Sequence, residues 1–141
     1  MYDDVLFPTD GSENAEAAFE HALSLAERYD ARIHALYVVN TTYSDIGASG
    51  NTTIDSLRER GEAAVRAVEE RAAAEGVEVV ARIEEGDPYN EIIEYSGTNA
   101  DLIVMGTRGR SGLDRYLLGS VTEKVVRTAD VPVFTVRGGN R

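Results

Sequence analysis

The sequence predicts an α/β fold, a parallel β-sheet with helices on both faces. Two observations predict it. Five short apolar runs alternate with four stretches of helical periodicity, in the order β-α-β-α-β-α-β-α-β. Two of those runs end in turn-forming segments that contain glycine: Thr9-Asp10-Gly11 after the first, and Gly106 to Gly112 after the fourth. Crossovers in such sheets are right-handed, which leaves few topologies. Ligands bind beyond the carboxyl ends of the strands, where the strand order reverses. Placing strands one and four side by side brings the two segments together.

Each element has its own signal. Val5-Leu6-Phe7-Pro8 is the first strand. Ser12 is the expected N-cap of a helix with Glu13 and Glu16 at its positive end and apolar residues at Ala15, Ala18, Phe19, Ala22, Ala26 and Tyr29. Ile33 to Val39 is the second strand. Residues 40–52 are small and polar and predict a mobile loop. In the next helix Leu57, Gly61, Ala64, Val65, Val68 and Ala72 share a face, and Gly76 stops it. Val77 to Ile83 alternates in the manner of an edge strand. Asp87-Pro88 starts a helix whose apolar side is Tyr89, Ile92 and Ile93. Leu102 to Met105 is the fourth strand. Ser120 opens a helix carrying Val121, Val125 and Val126, and Val131 to Val136 is the last strand. The tail, 137–141, is expected to fray.

The chain has 141 residues and a formal net charge of -11, and it contains no cysteine. That length suits one domain, taken as residues 1–141. Without cysteine there is no disulfide and no thiol chemistry. The charge argues against a general binder of nucleic acid or membrane surfaces, which needs a basic face. The acidic start, Met1-Tyr2-Asp3-Asp4, enters a strand at once, so a cytoplasmic location is expected. Lys124 is the only lysine. An acidic surface almost without lysine fits a salt-rich cytoplasm, and a GC-rich genome gives the same arginine bias.

The segment from Leu102 to Val126 carries the chemistry. A buried strand, a glycine-rich loop and a helix N-terminus together suit phosphate, because glycine permits close backbone approach and the first helical N–H groups lack partners. It is not a Walker A loop, since the sole lysine sits inside a helix. It is not a Rossmann dinucleotide loop, which would follow the first strand with a different glycine spacing. Arg108, Arg110 and Arg115 locally reverse the sign of an acidic chain. The two histidines, His21 and His34, lie within a helix and a strand and read as structural.

What remains is Gly106-x2-Gly109-x9-Gly119-Ser120. This pattern resembles the nucleotide-binding motif of the universal stress protein family. Phe7-Pro8-Thr9-Asp10-Gly11-Ser12, Leu36-Tyr37-Val38-Val39 and Val131-Pro132-Val133 are similar to segments of the same family, so the likeness spans the chain. It implies a five-stranded parallel sheet of order 3-2-1-4-5, Rossmann-like, and ATP as ligand, with Mg²⁺. By position, Pro8, Thr9 and Val38 would line the base and ribose pocket. Asp10 would face the ribose, or a metal ion at the phosphates. Gly106, Thr107, Arg108, Gly109, Arg110, Ser111 and Gly112 would wrap the ribose and phosphates. Gly119, Ser120, Val121 and Thr122 would offer N–H groups and hydroxyls. The family resemblance also implies a homodimer through Val131 to Val136, acting in a stress response on a protein partner that the sequence does not name.

Plainer roles stand beside these. Ser120 and Glu123 also read as a capping box. Asp10 also reads as a turn residue. Val131 to Val136 also reads as core. Three functions follow: a nucleotide-binding regulatory module, a slow ATPase or phosphotransferase using the same site, and an interaction dimer that does not bind nucleotide. No catalytic residue is assigned, because the sequence offers no dedicated general base near the loop.

Overall fold

Alternating apolar residues on short strands, and apolar stripes on the helices between them, set the architecture. The computed structural model describes residues 1–41, 51–107 and 119–137. In chain order the elements are β1 (Asp4–Pro8), α1 (Glu13–Tyr29), β2 (Arg32–Asn40), α2 (Asn51–Ala74), β3 (Val79–Gly86), α3 (Pro88–Asn99), β4 (Leu102–Gly106), α4 (Ser120–Thr128) and β5 (Val133–Val136). The sheet is parallel, in the order β3-β2-β1-β4-β5. That is the expected order, with β3 and β5 at the edges.

Strand alternation divides the core into two layers. Val5, Phe7, Ile33, Ala35, Tyr37, Val39 and Val104 face α1 and α2. Leu6, Leu36, Ile103 and Met105 face α3 and α4, against Ile92 and Val125. Phe7, Leu6, Ile33, Leu36 and Ile103 are fully buried. Each such side chain contributes about 1.5–3 kcal/mol on leaving water. In α1, Ala15, Ala18, Ala22 and Ala26 are buried small residues, and they let the helix lie close to the sheet.

The helix ends follow the sequence signals, with one exception. The Ser12 hydroxyl accepts the Ala15 N–H at 3.2 Å, and Asp30 closes α1 in the left-handed region at φ 57°. Gly76, at φ 75°, ends the turn after α2. Asp87 accepts the Asn90 N–H at 3.0 Å, with Pro88 at the first helical position. The capping box at Ser120 does not form. Gly119 is the N-cap of α4, so Ser120 already lies inside the helix and Glu123 falls one position too late. The Glu123 carboxylate pairs with Arg127 at 3.0 Å instead.

Boundaries shift in β3, β5 and α2, and β3 runs on to Gly86 rather than ending at Ile83. β3 starts at Val79, because the Val77 N–H bonds back to the Ala72 carbonyl of α2. β5 starts at Val133, after Pro132, whose carbonyl still accepts the Ile103 N–H. α2 begins at Asn51, inside the segment expected to be loop. The rest of that loop from residue 42, and the tail from residue 138, lie outside the described residues. Val126, on α4, is 45% exposed. Among the described residues no helix is long and apolar enough to cross a membrane.

Candidate functional site

A cavity of about 250 Å³ opens at the carboxyl ends of β1, β2 and β4, between the sheet and the first turns of α3 and α4. The chain builds it by interrupting its own ladder. β1 and β4 pair over only two registers, Val5 with Leu102 and Leu6 with Ile103. The Thr9 N–H bonds to the Leu36 carbonyl of β2 at 2.9 Å, so the preceding Pro8 points its nitrogen towards β4. Proline has no N–H to give there, and the sheet parts at this switch point.

The same alternation leaves an open peptide on β2. The Ile33 N–H bonds to Glu78 and the Thr41 N–H to Gly86, so odd-numbered peptides of β2 serve β3. Even-numbered peptides serve β1, as the Leu36 carbonyl does. The N–H and C=O of Val38 therefore face the side where β1 has already ended.

Thr9-Asp10-Gly11-Ser12 forms a braced turn. The Gly11 N–H donates to the Thr9 hydroxyl at 3.1 Å, and the Ser12 N–H donates to Asp10 Oδ1 at 2.9 Å. Gly11 sits at φ 80°, where a side chain would be strained. The turn role that the sequence allows for Asp10 is thus present in the structure.

At the other wall, β4 hands over to α4. The Gly119 N–H donates to the Thr107 carbonyl at 2.7 Å. The Thr122 hydroxyl, buried, donates to the Gly106 carbonyl at 2.8 Å. Gly106 lets α1 come close, since a Cβ there would lie 3.0 Å from the Asn14 carbonyl oxygen and would push the helix back. α1 and α3 carry side-chain caps, from Ser12 and Asp87, whereas glycine at the α4 N-cap supplies none. The first N–H groups of α4, at Ser120, Val121 and Thr122, have no acceptor within the helix and border the cavity. A helix start of this kind suits an anion.

Of the expected site residues, Pro8, Thr9, Asp10, Val38, Gly106, Gly119, Ser120, Val121 and Thr122 line this one cavity. Thr107 stands behind it, its N–H bonded to the Val136 carbonyl of β5. Arg108, Gly109, Arg110, Ser111, Gly112 and Arg115 lie outside the described residues. Ala15, Leu36, Pro88, Ile92 and Met105 also line the cavity and escaped the sequence reading. They are apolar residues at core spacing, and only the alternation of Leu36 with Val38 hints that the two share a face. Asp10 is the one ionisable side chain among the described lining residues. Among the described residues there is no cluster of three acidic, histidine or cysteine side chains able to hold a metal by itself.

The comparisons agree with this architecture. A sequence model of the universal stress protein family matches residues 1–137. A universal stress protein of Methanocaldococcus jannaschii is 40% identical over 141 aligned positions, covering 97% of this chain and 83% of that protein. The solved structure of the universal stress protein UspA from Lactobacillus plantarum superposes with a TM-score of 0.88 at 30% identity, over 96% of this chain and 98% of that one. A universal stress protein solved in complex with cAMP superposes with a TM-score of 0.76 at 27% identity, over 98% and 99%. Sheet order, helix placement and sequence thus agree, and the chain belongs to the universal stress protein family.

Proposed function

We propose that the chain is a nucleotide-binding regulatory protein that takes an adenine nucleotide, ATP with Mg²⁺, at the carboxyl end of its sheet. One observation carries the reading: the cavity joins an apolar slot bearing an open peptide to an uncapped helix N-terminus. Leu36, Val38, Pro88, Ile92 and Met105 suit the faces of a purine. The Val38 N–H and C=O suit its edge, because adenine carries a ring-nitrogen acceptor beside an amino donor. The N–H groups of Ser120, Val121 and Thr122 suit the phosphates, with the Ser120 hydroxyl beside them. Asp10 would meet the ribose or the Mg²⁺ that accompanies the phosphates. Arg108, Gly109, Arg110, Ser111 and Gly112 complete the proposed site by sequence position. The cAMP complex of a relative supports a nucleotide ligand.

Binding is favoured over turnover. Asp10 alone among the described lining residues could act as acid or base, and its Oδ1 already braces a turn. The test is mass spectrometry of the small molecule that co-purifies, together with calorimetry of ATP and AMP binding at high salt. Bound adenine nucleotide is expected. Protein that carries none and binds none sinks the proposal.

The same reading includes a homodimer through β5 and the residues leading into it, Val131 to Val136. The two edges of the sheet differ. β3 carries Arg82, Glu84 and Glu85, charges that discourage edge pairing. Val133–Val136 carries no charge, and Phe134 is 40% exposed beside the His21 ring, at 5.6 Å between centroids. A second copy of the chain fits that edge.

A further inference from the structure

Lys124, the only lysine of the chain, stands exposed on the second turn of α4. It comes one helical turn after Ser120, which lines the cavity, so the two share a stripe of the helix. Its Nζ lies 5.8 Å from the centre of the Tyr89 ring, on the first turn of α3. The Tyr89 hydroxyl donates to the Thr128 hydroxyl of α4 at 3.0 Å, which fixes the ring. The ammonium thus rests between α3 and α4, the two helices whose first turns border the cavity.

Nothing else holds it there. The neighbouring Glu123 pairs with Arg127 at 3.0 Å, and among the described residues Lys124 forms no ion pair. An exposed contact between an ammonium and an aromatic ring is weak, whereas an ammonium bonded to phosphate combines charge with a hydrogen bond. Helical side chains lean towards the N-terminus. One turn of helix rises about 5.4 Å, which the four-carbon stem of lysine covers. A change of rotamer therefore brings Nζ level with the Ser120 hydroxyl while the backbone stays in place.

The β3–α3 side carries the other sign. A Cβ at Gly86 would lie 2.8 Å from Glu91 Oε2, so this carboxylate sits over the end of β3. Burial, and then the charges of Glu94, Glu84 and Asp87, hold the Glu91 carboxyl above its ordinary value. Phosphates leaving the cavity are repelled on that side. On the α4 side, the N–H groups of Ser120, Val121 and Thr122 form one turn, which suits the phosphate next to the ribose. Phosphates beyond it need positive charge elsewhere, and Lys124 is the only cation in the first two turns of α4. We propose, on the adenine-nucleotide reading above, that Lys124 is a further ligand-binding residue. Its ammonium leaves Tyr89 for the second and third phosphates and makes the site prefer ATP to AMP.

A single lysine can be followed in the natural protein. The protein alone, and with saturating Mg-ATP or AMP, is treated with the N-hydroxysuccinimide ester of acetic acid. Peptide mass spectrometry reads acetylation at Lys124, with the α-amine of Met1 as internal standard. Mg-ATP should slow the reaction at Lys124 severalfold and AMP should not. Equal rates with and without bound ATP overturn the proposal. Calorimetry at one ionic strength then compares the natural protein with Lys124→Gln and Lys124→Arg. Lys124→Gln should bind ATP roughly fivefold more weakly, the upper range for an exposed ion pair, and AMP as before. Lys124→Arg should keep most of the ATP affinity. A parallel loss for ATP and AMP, or no loss for either, overturns the role of Lys124 and leaves the nucleotide reading standing. If the natural protein binds neither nucleotide, the nucleotide reading fails and the role of Lys124 falls with it.

Discussion

The Thr122 hydroxyl donates to the Gly106 carbonyl over 2.8 Å, and this buried bond pins the first turn of α4 to the last residue of β4. Thr122→Val keeps the shape and removes the donor. The substitution should cost about 1–3 kcal/mol, the penalty for a buried polar group left without its partner. It should also weaken ATP binding, because the helix start is no longer held in place. Urea unfolding and calorimetry check both effects, with Thr122→Ser as the control that retains the hydroxyl. An unchanged unfolding midpoint in Thr122→Val refutes the anchoring role.

Gly61 sits inside α2, where glycine is about 1 kcal/mol worse than alanine. Yet a Cβ at that position would lie 2.6 Å from the ring of Tyr37, which is only 5% exposed. Overpacking of this kind costs about 1–3 kcal/mol. The clash outweighs the propensity gain, so Gly61→Ala should lower stability. A raised melting temperature would show that the ring moves aside freely.

Asp4 makes part of the stability depend on acid. Burial alone would raise its carboxyl pKa, but the hydrogen bond from His34 and the charge of Arg32 outweigh burial and hold it below the ordinary value of 3.8. A lowered value in the folded state means stability that is present above 3.8 and lost as the pH falls through the folded value. Asp4→Asn should therefore be less stable at neutral pH, and the gap should narrow in acid below that point. Chemical denaturation across the acid range measures it, and a gap that stays constant refutes the assignment.

Phe134→Arg tests the β5 edge. Sedimentation should find a dimer of the natural protein and a monomer of the variant, with ATP binding retained. A variant that remains dimeric places the interface elsewhere.

The fold was legible because its signals are local. Periodicity, Ser12, Asp87-Pro88 and Gly76 each act within a few residues of the chain. The misreadings came where one residue served a distant or competing need. Ser120 looks like a cap, but the bond from the Gly119 N–H to Thr107 makes Gly119 the boundary. Val77 looks like strand, but its N–H closes α2. Glu84 and Glu85 look too charged for a sheet, yet an edge strand keeps one side in water. Ile92 and Met105 carry the pattern of core, and nothing in that pattern says that a cavity opens above them. The contacts of His34 span 30 and 61 positions and leave no trace in any local window.

The bond between the Gly119 N–H and the Thr107 carbonyl has a consequence for how such a chain can vary. Strand and helix meet directly at that bond, so residues 107 and 119 are neighbours in the fold although eleven positions separate them in sequence. The length and spelling of the sequence between them can change while that stitch, the sheet, its two layers and the helix start stay as they are. A recombinant that exchanges only this cassette between relatives should inherit its appetite from the donor and its architecture from the host.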